Sequence, residues 1–158
     1  MDIAIQSVGF KPLVTHTDAR GFLREVLRVA DEIFTTPFGQ WTHSWMRAGV
    51  LKAWHLHRVQ TDYWYVVGGV IRVGLWDCRE ESPTRGRTMD LLLGDGCPPG
   101  VLRIPPGVAH GCKVLRGPAS LLYLTSHTYN PADELRIPAD TPEAQFDWRR
   151  DPPLPAAP

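Results

Sequence analysis

Residues 49–62 read GVLKAWHLHRVQTD, with His55 and His57 two apart and Asp62 five positions further on. Side chains alternate along a strand, so the two imidazoles share one face, and in a small closed barrel that face can be the interior. Two histidines and an acid can move a proton or hold a metal, and the stretch alone allows either. Downstream, the tight-turn sequence PPGVAH (105–110) feeds a third histidine, His110, toward what could be the same cavity.

Around this stretch the chain reads as all-β. Segments rich in Val, Leu, Trp and Tyr at 40–46, 50–57, 63–67, 70–77, 89–93, 101–104 and 121–127 stand between Gly and Pro punctuation, which predicts antiparallel strands closing into a sandwich or barrel. Only residues 31–35 look helical, whereas a doubly wound fold needs a helix after nearly every strand. A chain of 158 residues with 43% hydrophobic content suffices for one core. We expect a single domain over residues 1–148, with a surface strap beginning at Pro138, and a loose Pro-rich tail over 149–158, whose prolines cannot continue a ladder.

Composition removes several function classes. Lys+Arg and Asp+Glu both number 17, so no net field favours nucleic acid. Three cysteines at unrelated spacings are neither a zinc ribbon nor a secreted disulfide scaffold. The longest apolar run, 63–71, is interrupted by glycines and far short of the ~20 residues of a membrane span. The expectation is a cytoplasmic protein with no membrane or nucleic-acid partner.

The spacing G-x5-H-x-H-x4-D-x6-G (Gly49 to Gly69), followed by P-x-G-x2-H (Pro105 to His110), resembles the two signature motifs of the cupin barrel, a double-stranded β-helix or jelly roll. In metal-binding cupins the matching positions are ligands. The implied set here is His55, His57, Asp62 and His110, with donors that suit Zn, Fe, Mn, Ni or Cu.

A second resemblance is more specific. DARGFLRE (18–25), GVLKAWH (49–55), DCREESPTRG (77–86), IPPGVAHG (104–111) and the paired Tyr123 and Tyr129, followed by NPADE, are similar to segments of the dTDP-4-dehydrorhamnose 3,5-epimerase family, itself built on the cupin fold. The resemblance implies an isomerase that takes a proton from carbon next to a ketone and returns one from the other face. His55 is then the base and Tyr123 the acid. An unperturbed His is largely neutral near pH 7 and a Tyr is protonated, as those roles require. Arg20 and Lys52 stand where the family places cations for the substrate diphosphate, while Glu25, Gln40, His110 and Tyr129 fall at positions that line the site. No cofactor is required on this reading. The family also implies a homodimer, in which Arg20 and Glu25 serve the neighbouring cavity.

Three positions depart from the family pattern. Asp62 occupies the place of a lysine that stabilises the enolate, and a carboxylate about 4 Å from that oxygen would repel it by roughly 4 kcal/mol at an effective dielectric near 20. The family's LSxKD segment, whose aspartate orients the histidine, has no counterpart after Trp148, leaving Asp62 and Glu25 as candidates to orient His55. His57 replaces a glutamine.

The leading expectation is therefore an epimerase acting on a nucleotide-linked 4-keto-6-deoxysugar. A metal-dependent cupin isomerase or oxygenase on a small carbonyl compound is the alternative, with Tyr123, Tyr129 or His127 as base if His55 ligates; His127 shares the tyrosines' face if their strand is regular. A sugar-nucleotide-binding cupin without turnover is the third reading.

Overall fold

The computed structural model describes residues 3–156. Ten strands succeed one another: β1 (Gly9–Pro12), β2 (His16–Asp18), β3 (Gly21–Leu23), β4 (Gln40–Met46), β5 (Leu51–His57), β6 (Asp62–Asp77), β7 (Thr88–Gly94), β8 (Gly100–Ile104), β9 (Val108–Thr125) and β10 (Glu134–Arg136). One 3-10 turn, Pro142–Ala144, follows them. All pairings are antiparallel, and no α-helix occurs among the described residues. The all-β expectation holds, and no helix here is long and apolar enough to cross a membrane.

Two long strands form the spine. β6 and β9 pair along nearly their whole length, from Asp62↔Thr125 to Asp77↔Val108. At one end β9 also pairs with β4 and β6 with β8; at the other, β9 pairs with β5 and β6 with β7. The segments 63–67 and 70–77, read separately from sequence, are one strand, because Gly68 and Gly69 form a bulge and not a turn. The ladder shifts register on either side of Gly68, and Gly69 sits at φ +76°, where an added Cβ would lie 2.6 Å from the Pro118 carbonyl. Such a bulge bends a strand and lets it serve both halves of a barrel.

β6 is buried on both faces. Inside, Ile71, Val73 and Leu75 pack with Leu102, Ile104, Val108 and Val114, each residue of this kind worth about 1.5–3 kcal/mol when fully buried. Outside, Trp54, Trp76, Phe146 and Trp148 form a second cluster under the chain's last segment. Gly74 faces that cluster, and a Cβ there would come within 2.6 Å of the Trp148 ring. Arg72 ties the segment down by donating to the carbonyls of Asp147 (2.8 Å) and Arg150 (2.7 Å). Beyond it, Lys113 pairs with Asp151 and Arg116 donates to the Pro155 carbonyl, so the stretch expected to be a loose tail is hydrogen-bonded to the barrel at least as far as Pro155.

Two further expectations are corrected. Residues 31–35 are a turn: the Asp31 carboxylate accepts the Arg28 N–H and the Lys11 ammonium, and one bond from Phe34 N–H to the Asp31 carbonyl closes it. A single turn cannot repay helix nucleation. The strand expected over 121–127 ends at Thr125, whose hydroxyl donates to the His127 carbonyl and bends the chain away.

Candidate active site

A cavity of about 330 Å³ opens inside the barrel, lined by side chains of β4, β5, β6, β9, β10 and the segments between them. β4 contributes Gln40 and Ser44, its inward-facing alternate residues, and β9 contributes His110, Leu121, Tyr123 and Thr125. On β5, Lys52, His55 and His57 all reach the cavity although Lys52 has the wrong parity. The β5–β9 register slips between Lys52 and His55, and the extra residue turns the strand.

His55 and His110 are direct partners in the β5–β9 ladder, with their rings stacked at 6.4 Å between centroids. β10 closes the other edge of β5 in the register Glu134↔His57 and Arg136↔His55. That register brings the Glu134 carboxylate to 2.8 Å from His55 Nδ1. Neither Asp62 nor Glu25 orients His55, contrary to the sequence expectation; Glu134 does. Burial works against the Glu134 charge, but donors from Arg136 and His55 outweigh it and hold its carboxyl below the usual range. With Nδ1–H donated to Glu134, the His55 lone pair is on Nε2.

Asp62 is 3% exposed and points into the cavity's floor. Its oxygens accept from the Gln60 amide (2.7 Å) and the Trp64 indole (3.0 Å). His110 Nε2 stands 3.6 Å from the second oxygen, outside hydrogen-bonding distance, while His110 Nδ1 donates to the Val108 carbonyl at 3.1 Å. Burial favours the neutral ring and pulls the His110 pKa down, a shift the Asp62 charge only partly offsets. His57 completes this group. Its Nε2 is 3.3 Å from the Gln60 amide, and its buried Nδ1 has no hydrogen-bond partner among the described residues.

The four-residue metal set of the sequence reading is thus divided. One ligand atom each of His57, Asp62 and His110 lies within 4.8 Å of the others; His55 is not of that group and pairs with Glu134 instead.

Tyr123 lies opposite Thr42 on β4, which sits beside its hydroxyl; burial is the larger influence and raises the phenol's pKa above its usual value. Gln40 bonds Thr42 through its amide nitrogen (2.8 Å) and the Tyr129 N–H through its oxygen (3.0 Å), placing Tyr129 at the mouth. Lys52 donates to Ser44. Arg20 and Glu25 lie elsewhere: Arg20, in the β2–β3 hairpin, pairs with Asp18, and Glu25 stands 3.5 Å from Arg28 in solvent. His127 is exposed, bonded to Ser126, lies beyond the end of β9, and does not line the cavity that Tyr123 and Tyr129 line. Sequence reasoning missed Gln60, Trp64, Glu134 and Arg136 as cavity residues. Glu134 and Arg136, two apart after the NPAD turn, carried the one usable signal, a short polar stretch with a period of two.

Comparison with known proteins fits this geometry. The chain matches the family described as dTDP-4-dehydrorhamnose 3,5-epimerase over residues 3–157. It is 42% identical to the spore coat polysaccharide biosynthesis protein SpsL of Bacillus subtilis, over 91% of this chain and 96% of that one. A crystal structure of a dTDP sugar isomerase from Desulfovibrio desulfuricans superposes with a TM-score of 0.88 at 28% identity, covering 96% of this chain and 97% of that one. An epimerase of Legionella pneumophila, solved in complex with dTDP-4-keto-L-rhamnose, superposes with a TM-score of 0.85 at 28% identity, covering 94% and 81%.

Proposed function

The chain belongs to the dTDP-4-dehydrorhamnose 3,5-epimerase family and is an isomerase of that type, and from this premise we propose that it inverts carbon beside the ketone of a nucleotide-linked 4-keto-6-deoxysugar. The observation that carries this reading is the His55–Glu134 pair in a cavity that also holds Tyr123.

His55 Nε2 takes the α-proton, and the imidazolium so formed is stabilised through Nδ1–H by the Glu134 carboxylate, which also fixes the ring's orientation. Tyr123, kept protonated by burial, delivers a proton to the opposite face of the enolate. Lys52 and Arg136 are the cavity's long cations and take the diphosphate, Lys52 as a point charge and Arg136 as a planar fork. The nucleotide-sugar ligand of the Legionella relative supports this class of substrate.

Arg20 and Glu25, which lie outside their own chain's cavity, belong to the cavity of a second copy, which makes the working unit a homodimer. The direct test is incubation of the purified protein with dTDP-4-keto-6-deoxyglucose in deuterium oxide. Deuterium enters at C3 or C5 with wild type and not with His55→Ala. Nucleotide-sugar binding without exchange would leave the protein a sugar-binding cupin and overturn the catalytic reading.

A further inference from the structure

We propose that His57, Asp62 and His110 form a binding site for one divalent first-row transition ion on the cavity floor, distinct from the His55–Glu134 pair. Their ligand atoms all lie within 4.8 Å of one another. Two ligands each 2.0–2.1 Å from a common zinc at tetrahedral angles are about 3.4 Å apart. The 3.6 Å between His110 Nε2 and Asp62 fits that relation and is too long for a hydrogen bond between the two.

The ring tautomers point the same way. His110 gives its Nδ1 proton to the Val108 carbonyl, so its Nε2 presents a lone pair toward the carboxylate. A ring nitrogen committed to a backbone carbonyl is the usual support of a metal-bound histidine. His57 Nδ1 is buried and unbonded among the described residues, 3.8 Å from the Asp133 carboxylate, while its Nε2 lies 3.3 Å from the Gln60 amide nitrogen, a donor, which makes Nε2 the acceptor. Asp133 itself is fixed by the N–H groups of Arg58, Val59 and Gln60. Two lone pairs and a carboxylate therefore converge, and the donors reaching them are the Gln60 amide, shared between His57 and Asp62, and the Trp64 indole. A divalent cation satisfies all three acceptors at once.

Two imidazoles and one carboxylate suit Zn(II), Fe(II), Mn(II), Ni(II) or Cu(II) better than Mg(II) or Ca(II). When bound, such an ion supplies Lewis-acid stabilisation of a carbonyl oxygen, the task the family assigns to the lysine that Asp62 replaces. Because His55 is held by Glu134, the site leaves the base free. The binding claim does not rest on the epimerase reading.

The test uses full-length protein freed of metal by chelator dialysis and titrated with Co(II), followed by visible absorption, and with Zn(II), followed by calorimetry. Wild type takes up one equivalent per chain, develops cobalt d–d bands, and unfolds at a higher temperature with metal present. Asp62→Asn and His57→Ala weaken binding at least about tenfold, and His55→Ala keeps it. Circular dichroism establishes which variants fold. The site is refuted if wild type shows no stoichiometric uptake, or if a folded Asp62→Asn or His57→Ala variant binds as tightly as wild type. These readouts are independent of turnover, so failure of isotope exchange and failure of metal binding are told apart.

Discussion

His55 Nδ1 and Glu134 Oε1 stand 2.8 Å apart although 79 residues separate them in the chain, and Arg136 donates to the same oxygen at 3.0 Å. The carboxylate is therefore fixed from two sides before any substrate arrives. Glu134→Gln keeps the shape but removes the charge that stabilises an imidazolium. We expect kcat to fall by about 10²–10⁴-fold with KM changed little, and Glu134→Asp to recover part of it. Steady-state kinetics of the two variants decide this; equal losses in both would make the role one of packing.

Tyr123 acts after the proton has left. Tyr123→Phe should retain exchange of the α-hydrogen with solvent while net epimerisation drops by at least about a hundredfold. Because burial raises its pKa, the alkaline fall in wild-type activity due to Tyr123 comes above the ordinary value of about 10. Deuterium incorporation measured beside product stereochemistry separates the two steps.

Arg20 and His55, if they serve cavities of different chains, complement each other. Arg20→Ala and His55→Ala homodimers should each be nearly inactive, and equimolar reassembled mixtures should regain up to about a quarter of wild-type activity through mixed dimers with one intact site. No recovery after verified chain exchange would place Arg20 outside the site.

Lys52 tests the diphosphate assignment. Lys52→Met should raise KM about tenfold with a smaller effect on kcat, and should flatten the salt dependence of kcat/KM, since a screened point charge has been removed. An unchanged KM at low salt would assign the phosphates to other cations.

Asp77 predicts a stability effect remote from the chemistry. It is fully buried, yet donors from Arg79, Ser82 and Thr84 outweigh the desolvation and hold its carboxyl well below the usual range. The folded state thus binds the proton less readily than the unfolded one. The contribution is complete above about pH 4, declines as pH falls below that, and is gone once pH drops through the folded value. Asp77→Asn should cost about 2–4 kcal/mol at pH 7 in urea unfolding, with the difference from wild type shrinking in acid.

Strand positions, the shared face of His55 and His57, and the barrel itself were legible from alternation, turn residues and the two histidine motifs, because those signals are local and short-ranged. Periodicity also failed locally: at Lys52 the β5 register slips, at Gly68 and Gly69 a turn signal marks a bulge, and beyond Thr125 the chain leaves the sheet. At Lys52 and at Gly68 pairing with a distant strand decides the backbone, and no window of sequence contains it; at Thr125 a local bond to the His127 carbonyl does, which alternation does not register.

Residue types and their order were enough to determine an all-β chain with imidazoles, a carboxylate and phenols at family spacing. Which carboxylate serves which imidazole was decided by the tertiary structure alone. Asp62 is close to His55 in sequence yet lies within 4.8 Å of ligand atoms of His57 and His110, while Glu134, far away in the chain, hydrogen-bonds His55. The physical reason is register: the pairing of β10 with β5 and the bend of β6 set which side chains meet across strands, and alternation specifies a face but not a neighbour.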